Sequence, residues 1–170
     1  VVASGSFAIE KSTQELTLSD ASKIEANLLT FGGEKLSAFA GLNGNSAAKI
    51  GFEIQNADFG FALVSDKKDV SRQWVALQGQ AKEVGFVGVE GLTVSAKNLA
   101  LNYNQADKNG VVVDFAVQPL KIATGETATT ELNLDGKKGE LIQAVGDVEI
   151  NVEDFFQVSG SFGFEKKTQE

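Results

Sequence analysis

The sequence lacks histidine, cysteine and methionine, and it has only one proline, one tryptophan and one tyrosine among 170 residues. Without imidazole and thiol groups, a Ser-His-Asp triad, a cysteine nucleophile and an imidazole or thiolate metal site are excluded. The same absence argues against haem and iron–sulfur ligation. We therefore expect a protein that is not an enzyme and that holds no catalytic, cofactor-binding or metal-binding residues.

Basic residues are also scarce, because 15 Lys and Arg stand against 23 Asp and Glu, a formal charge of −8. Nucleic-acid binding needs a basic face, so we expect no nucleic-acid partner. No apolar run approaches the roughly 18 residues of a membrane-spanning helix, so we predict no transmembrane segment. The chain starts without Met or a signal-like run, and we expect it to be a piece of something longer.

A long internal repeat is the strongest feature of the sequence. Residues 4–15 read SGSFAIEKSTQE and residues 159–170 read SGSFGFEKKTQE, identical at nine of twelve positions with an offset of 155. Repeats at a fixed period are the signature of arrays. We therefore predict one repeat module over residues 1–157 and the start of the next over 158–170. Adjacent copies of the same repeat would be its partners, with a junction strand packing each copy on the preceding one.

The apolar residues alternate with a period of two, as in residues 50–54, 92–96 and 111–117. Such alternation is typical of half-buried strands. After Ile54, after Ala96 and after Val117 the alternation changes phase, which requires one extra residue, at a bulge or a corner. The chain is thus predicted to run strand, corner, strand, many times over.

Turn signals rich in Gly, Asn and Asp separate these segments, at residues 31–33, 41–45, 66–69, 107–110 and 135–139. The one helix candidate covers residues 19–29, with Ser19 or Asp20 as its cap. Two architectures fit an all-β chain of this kind. One is an elongated antiparallel sandwich or meander with bent, corner-rich strands, and the other is a β-solenoid-like module of stacked rungs.

Several stretches resemble the repeats of giant tandem-repeat, adhesin-like surface or secreted proteins of Gram-negative bacteria. They include GLTVSAKNLALNYN (91–104), TGETATTELNLDGKKGELIQAVGDVEIN (124–151) and FFQVSGSFGFEKKTQE (155–170). The resemblance implies an extracellular or cell-surface location and a role in a fibre, stalk or biofilm matrix. It implies no functional residues. Some of those proteins carry calcium-binding tails, but the GGxGxD pattern of such tails is missing here.

Acidic residues are the first candidates for chemistry. Asp66 and Asp69, and the run 107–109 (Asp-Lys-Asn), are residue types that calcium prefers. Lys residues lie between or beside these acids and the DxDxDG spacing is missing, so turn formation is the favoured interpretation. A further cluster, Glu149, Glu153 and Asp154, has the residue types of an acid–base pair, but we interpret it as a solvated strand face.

Aromatic residues are the second candidates, for a glycan platform or a lipid groove. Phe59 and Phe61, like Phe162 and Phe164, are two residues apart, which favours a place in the core. Trp74 follows a polar stretch and is the aromatic side chain for which exposure is worth testing.

We therefore predict a structural repeat of an extracellular fibre, stalk or matrix adhesin, with a spacer or scaffold role. The alternative is a binding module for calcium, a glycan or a lipid chain. Sheet edges that could add strands from a neighbour also leave lateral self-association into filaments open.

Overall fold

A computed structural model describes residues 1–153 and 155–168. This part of the chain is all-β, as predicted, and none of it forms a helix long and apolar enough to cross a membrane. A short 3-10 helix, Gly136–Lys138, precedes the eighth strand. The nine strands are β1 (Val2–Thr17), β2 (Lys23–Leu42), β3 (Ile50–Asp66), β4 (Gln73–Val87), β5 (Leu92–Asn104), β6 (Leu120–Ala123), β7 (Thr129–Leu132), β8 (Glu140–Val152) and β9 (Phe156–Thr168).

Seven of the strands form one antiparallel sheet in the order β1-β2-β3-β4-β5-β8-β9. Its strands are long, from 13 residues in β5 to 20 in β2. The antiparallel alternative of the sequence analysis is confirmed, and the described residues show no solenoid rungs. This main sheet is a meander, interrupted only where residues 105–139 separate β5 from β8.

The phase changes predicted after Ile54 and Ala96 are confirmed as bulges, whereas the one predicted after Val117 is wrong, because residues 111–117 form no strand before it. Asn56 in β3 and Asn98 in β5 have φ angles of 48° and 53°, the left-handed region that Asn tolerates better than most residues. Neighbouring β2 has Lys35 at 52°, and β1 shifts register around Gly5. Each extra residue turns the following side chains over, so the apolar residues before and after it stay on one face of the sheet.

The covering segment, residues 105–139, packs on one face of the main sheet and closes the core. Its β6–β7 hairpin lies over β1 to β4. Apolar side chains from this segment are buried against the sheet, above all Phe115, Ile122 and Leu132. The sheet contributes Leu16, Ile24, Ala26, Leu28, Ala62, Val64, Trp74 and Ala76, and Leu18 joins them directly after β1.

The turn predicted at residues 31–33 is wrong, because these residues lie in the middle of β2. The glycine there serves a close approach instead. A Cβ on Gly32 would lie 2.2 Å from the carbonyl oxygen of Ala123, and one on Gly60 would lie 3.0 Å from a methyl carbon of Thr130. The hairpin therefore rests almost directly on the sheet backbone. The other turn signals coincide with connections between strands.

The helix candidate at residues 19–29, which the sequence did not favour, does not form, because β2 begins at Lys23. Ile24, Ala26 and Leu28 alternate and are all buried, so the strand buries three apolar side chains on one face. Ile24 and Leu28 satisfy the helical spacing of four as well, which is why the segment is ambiguous in sequence.

The predicted strand at residues 111–117 is wrong too. Only Val113 makes a bridge, to Leu18, and the segment crosses the core as irregular chain. Val112, Val113 and Phe115 are buried, whereas Val117 is exposed. The carboxylate of Asp114 accepts hydrogen bonds from the backbone of Ala116 and Gly136, which holds this irregular path. The apolar side chains of this segment are thus buried without the hydrogen-bonded ladder of a strand pair.

Candidate functional site

The two copies of the sequence repeat form the two edges of the main sheet. Residues 4–15 lie in β1, and residues 159–168 lie in β9. In the described residues β1 is paired with β2 alone, and β9 is paired with β8 alone. The proposed boundary between residues 157 and 158 falls inside β9, and Gln169 and Glu170 lie outside the described residues.

The contacts between β8 and β9 use side chains that β1 also carries. Ser161 donates a hydrogen bond to Asp147 at 2.7 Å, and the side chain of Gln143 donates to Glu165 at 2.8 Å. The residues of β1 that correspond to Ser161 and Glu165 are again Ser and Glu, at positions 6 and 10. The first edge of the sheet therefore carries the same polar groups that β9 offers to β8.

Asp147 joins three strands at this edge. The side chain of Asn98 in β5 donates to it at 2.9 Å, and Ser161 in β9 donates from the other side. These two hydrogen bonds lower the pKa of Asp147 from its ordinary value. A carboxylate at position 147 is thus suited to accept bonds from strands on both sides of β8.

The face of the main sheet opposite the covering segment is apolar and uncovered. We call it the uncovered face. Among its residues are Phe7, Ile9, Leu29, Phe31, Phe59, Phe61, Leu63, Leu77, Leu101, Tyr103, Ile142, Phe162 and Phe164. Many of these side chains are exposed or half-buried. An apolar surface of this breadth is typical of a binding or packing surface.

Aromatic rings form a row across the uncovered face. Phe31 contacts Phe7 and Phe59 edge to face, with ring centroids 6.0 and 5.2 Å apart. The core positions predicted for Phe59, Phe61, Phe162 and Phe164 are wrong, because all four lie on the uncovered face: the first two are half-buried, and the last two are 40% and 55% exposed. Period-two alternation assigns them to one face correctly, but that face has no cover in the described residues.

Trp74 is not an exposed platform. It is 1% exposed and lies in the core under the covering segment. Its indole N–H donates to the carbonyl of Val111 at 2.8 Å, and the Arg72 guanidinium lies 5.1 Å from its ring centre. The residue therefore fixes the covering segment to β4, and the structure leaves it no surface for a ligand.

The predicted acidic turns come together around Arg72. Its Nε donates to Asp107 at 2.7 Å, and its Nη1 lies 3.8 Å from Asp66. Burial alone would raise the pKa of Asp107, but hydrogen bonds from Arg72 and from the backbone of Val111 and Asn109 together lower it. The side chain of Asp107 is fully buried and its charge is compensated.

The remaining acids of these turns cap backbone groups. Asp66 accepts from the backbone of Lys68, and Asp69 accepts from the backbone and hydroxyl of Ser71. Lys108 lies 3.8 Å from Asp69. No group of three acidic side chains suited to a metal ion occurs in residues 1–153 and 155–168. Turn formation therefore accounts for these acids.

The third acidic cluster is only partly described, since Asp154 lies outside the described residues. Glu149 forms an ion pair with Lys97 across the β5–β8 ladder, at 3.7 Å. The backbone N–H of Glu153 donates to the carbonyl of Gly91. Both contacts are those of an ordinary strand pair and its end.

The comparisons with known proteins were negative: no family model, no curated protein and no solved structure matches this chain. The arguments about function therefore rest on the sequence repeat and on the geometry of the edges and faces. Sequence reasoning found the repeat but missed that its two copies form opposite edges of one sheet. It also missed the uncovered face, although neighbouring apolar residues, such as Leu28 and Leu29 in β2 and Leu63 and Val64 in β3, signal apolar residues on two faces.

Proposed function

We propose that the chain is a structural repeat of an extracellular fibre, stalk or matrix adhesin, with a spacer or scaffold role. One observation carries the proposal: the two near-identical segments, 155 residues apart, form the first and last strands of one meander sheet. A repeat whose end strand is the start strand of the next copy is a unit for building an array.

The charge supports an extended array. Each copy contributes a formal charge of about −8, so twenty copies would carry on the order of −160. Like charge along a rod opposes collapse and keeps the array soluble. The extracellular location rests on the resemblance to repeats of giant bacterial surface proteins. We expect no catalytic activity from such a repeat.

The alternative is a binding module, and the uncovered face is the observation that favours it. Exposed Phe7, Phe52 and Phe164 offer a broad apolar surface to a lipid chain or another apolar ligand. The calcium alternative has less support, because Asp66 and Asp107 are already compensated by Arg72. The glycan alternative loses its main candidate with the burial of Trp74.

Small-angle scattering on one copy and on three consecutive copies, with and without calcium, tests the proposal. An array that lengthens in equal steps and ignores calcium supports the spacer role. A chain that stays compact or flexible until calcium is added supports the binding module instead. Flotation with phosphatidylcholine vesicles tests the lipid alternative, and a spacer is expected to stay out of the lipid fraction.

A further inference from the structure

We infer that the free edge of β9 pairs with β2 of the next copy, in the register that β1 has with β2, so that consecutive copies share one continuous sheet. The inference rests on the proposed array and names the partner strand at the joint. β9 has 13 residues and one edge that no other described residue pairs with, so it is an open template for another strand. Because β9 nearly repeats the sequence of β1, the strand that fits its free edge is β2, the partner of β1.

The directions of β1 and β9 agree. Six antiparallel steps separate them in the sheet, so the two strands run the same way. Their faces agree as well. The row of directly opposed residues that starts at Phe7 runs through Gly33, Phe59, Gly79, Leu101 and Ala144 to Phe164. Phe164 corresponds to Ile9, two residues from Phe7, and residues two apart share a face.

Opposite edges are therefore occupied in the two strands. Along a strand, the backbone N–H and C=O groups of successive residues point alternately to its two edges. Because direction and face are the same, the groups that β1 uses toward β2 are the groups that β9 leaves free. The groups that β9 uses toward β8 are free in β1. From Ser6 and the corresponding Ser161 onward, one strand can thus serve as β9 of one copy and as β1 of the next without competition for backbone groups; before them, β9 must also take up the register shift that β1 has at Gly5.

Gly160 supplies an independent observation. At the corresponding position of β1, a Cβ on Gly5 would lie 2.7 Å from a methyl carbon of Leu36 and 2.8 Å from its Cα. A Cβ on Gly160 would meet nothing within 4 Å. The described residues therefore give no packing reason for glycine at 160, whereas a β2 strand docked in the inferred register, with the φ of 127° that Gly5 has in β1, would place its Leu36 there.

The side chains also fit the joint. In β1, Ile9 lies directly opposite Phe31, so the inferred register places Phe164 opposite Phe31 of the next copy. The aromatic row of the uncovered face would then run unbroken from copy to copy. Where β1 has Ser12, β9 has Lys167, whose long aliphatic stem can lie along the sheet while its ammonium group reaches water.

Disulfide trapping tests the joint in a two-copy chain, residues 1–170 followed directly by a second copy of residues 16–170. The protein has no cysteine, so introduced pairs have no competitors. Lys11 and Leu29 are directly opposed within one copy. K11C/L29C in the first copy is therefore the positive control, since opposed residues lie about 4.5–5.5 Å apart at Cα, within disulfide range. The test pair is K166C with L29C of the second copy.

The inference expects the test pair to oxidise as fast and as completely as the positive control. K166C paired with N27C of the second copy, two residues out of register, is expected to oxidise at least tenfold more slowly. If the control pair closes and the test pair does not, the continuous sheet is refuted. In that case, an array whose length in small-angle scattering still grows evenly with copy number leaves the spacer proposal intact. A compact array refutes the continuous sheet and the spacer proposal together.

A variant at Gly160 distinguishes an effect on the joint between copies from an effect on the stability of one copy. G160V is expected to leave the melting temperature of the single copy unchanged, because nothing surrounds Gly160 there. In the two-copy chain the same change is expected to slow closure of the test pair at least tenfold, because the new side chain meets Leu36 of the second copy. Unchanged closure would overturn the inferred register.

Discussion

The ion pair of Arg72 and Asp107 provides the sharpest stability prediction. Their side chains are 18% and 0% exposed, with Arg72 Nε 2.7 Å from the Asp107 carboxylate. The change R72M keeps much of the side-chain length and removes the charge. Asp107 then keeps two backbone donors, Val111 at 3.1 Å and Asn109 at 2.9 Å, and a longer contact of 3.5 Å from Asn109 Nδ2. Breaking a buried pair costs 3–5 kcal/mol, and the remaining donors place the expected loss near ~3 kcal/mol.

The assay is urea unfolding followed by fluorescence of Trp74, the single tryptophan. Trp74 is buried, bonded to Val111 and in contact with Arg72, so its emission reports the same region. With a denaturant slope of about 2 kcal/mol per M, a loss of ~3 kcal/mol moves the midpoint by roughly 1.5 M. Emission of the folded variant is also expected to change, because the cation over the indole ring is gone.

K108M is the matched control for R72M. Lys108 lies 3.8 Å from Asp69, but both side chains are about half exposed, 54% and 50%. Such a pair contributes less than about 0.5 kcal/mol. The double variant R72M/D107N should be more stable than R72M alone, because it no longer buries an uncompensated charge. A loss below about 1 kcal/mol for R72M, or equal losses for R72M and K108M, would refute this reasoning.

Three further predictions use the same unfolding assay. F115A should lose about 3–5 kcal/mol and V117A, on the exposed part of the segment, less than about 0.5 kcal/mol; similar losses would contradict the assigned core. N56V should lose about 1–2 kcal/mol and N56G little, because position 56 has φ 48°; a harmless N56V would argue against the bulge. Because the folded pKa of Asp107 is lowered, its contribution is complete above about pH 4 and lost as pH falls through that lower pKa. D107N should therefore reduce the drop in unfolding free energy as pH falls. An unchanged dependence of that free energy on pH would contradict the role assigned to Asp107.

Local patterns in the sequence predicted much of the fold. Alternation marks strands such as β3, and the phase changes after Ile54 and Ala96 mark bulges, because side chains on a strand alternate with a strict period of two. The repeat identified two equivalent segments, although not their places at the two edges of one sheet. These features depend on neighbouring residues along the chain, so they can be read without knowing the tertiary structure.

The path of the covering segment could not be predicted from these local patterns. Alternation assigns Ile24 and Leu29 to opposite faces of β2, but it does not say which face another segment covers. Phe115 is buried without a strand, and Phe164 is exposed on a strand, because the path of residues 105–139 decides both. That path depends on long-range contacts such as the close approach at Gly32, which leave no periodic signal.

The most direct test of the array is the rise per copy, measured by electron microscopy on chains of four and eight copies. One period contributes six strands to the main sheet, β1 to β5 and β8, because β9 is the first strand of the next period. At 4.7–4.9 Å between strands, a continuous sheet lengthens by about 29 Å per copy. Copies joined end to end along their strands would instead lengthen by about 45 Å or more, since 13 residues span that length. A rise near 29 Å supports shared sheets, and a rise near 45 Å, or no regular rise, contradicts them.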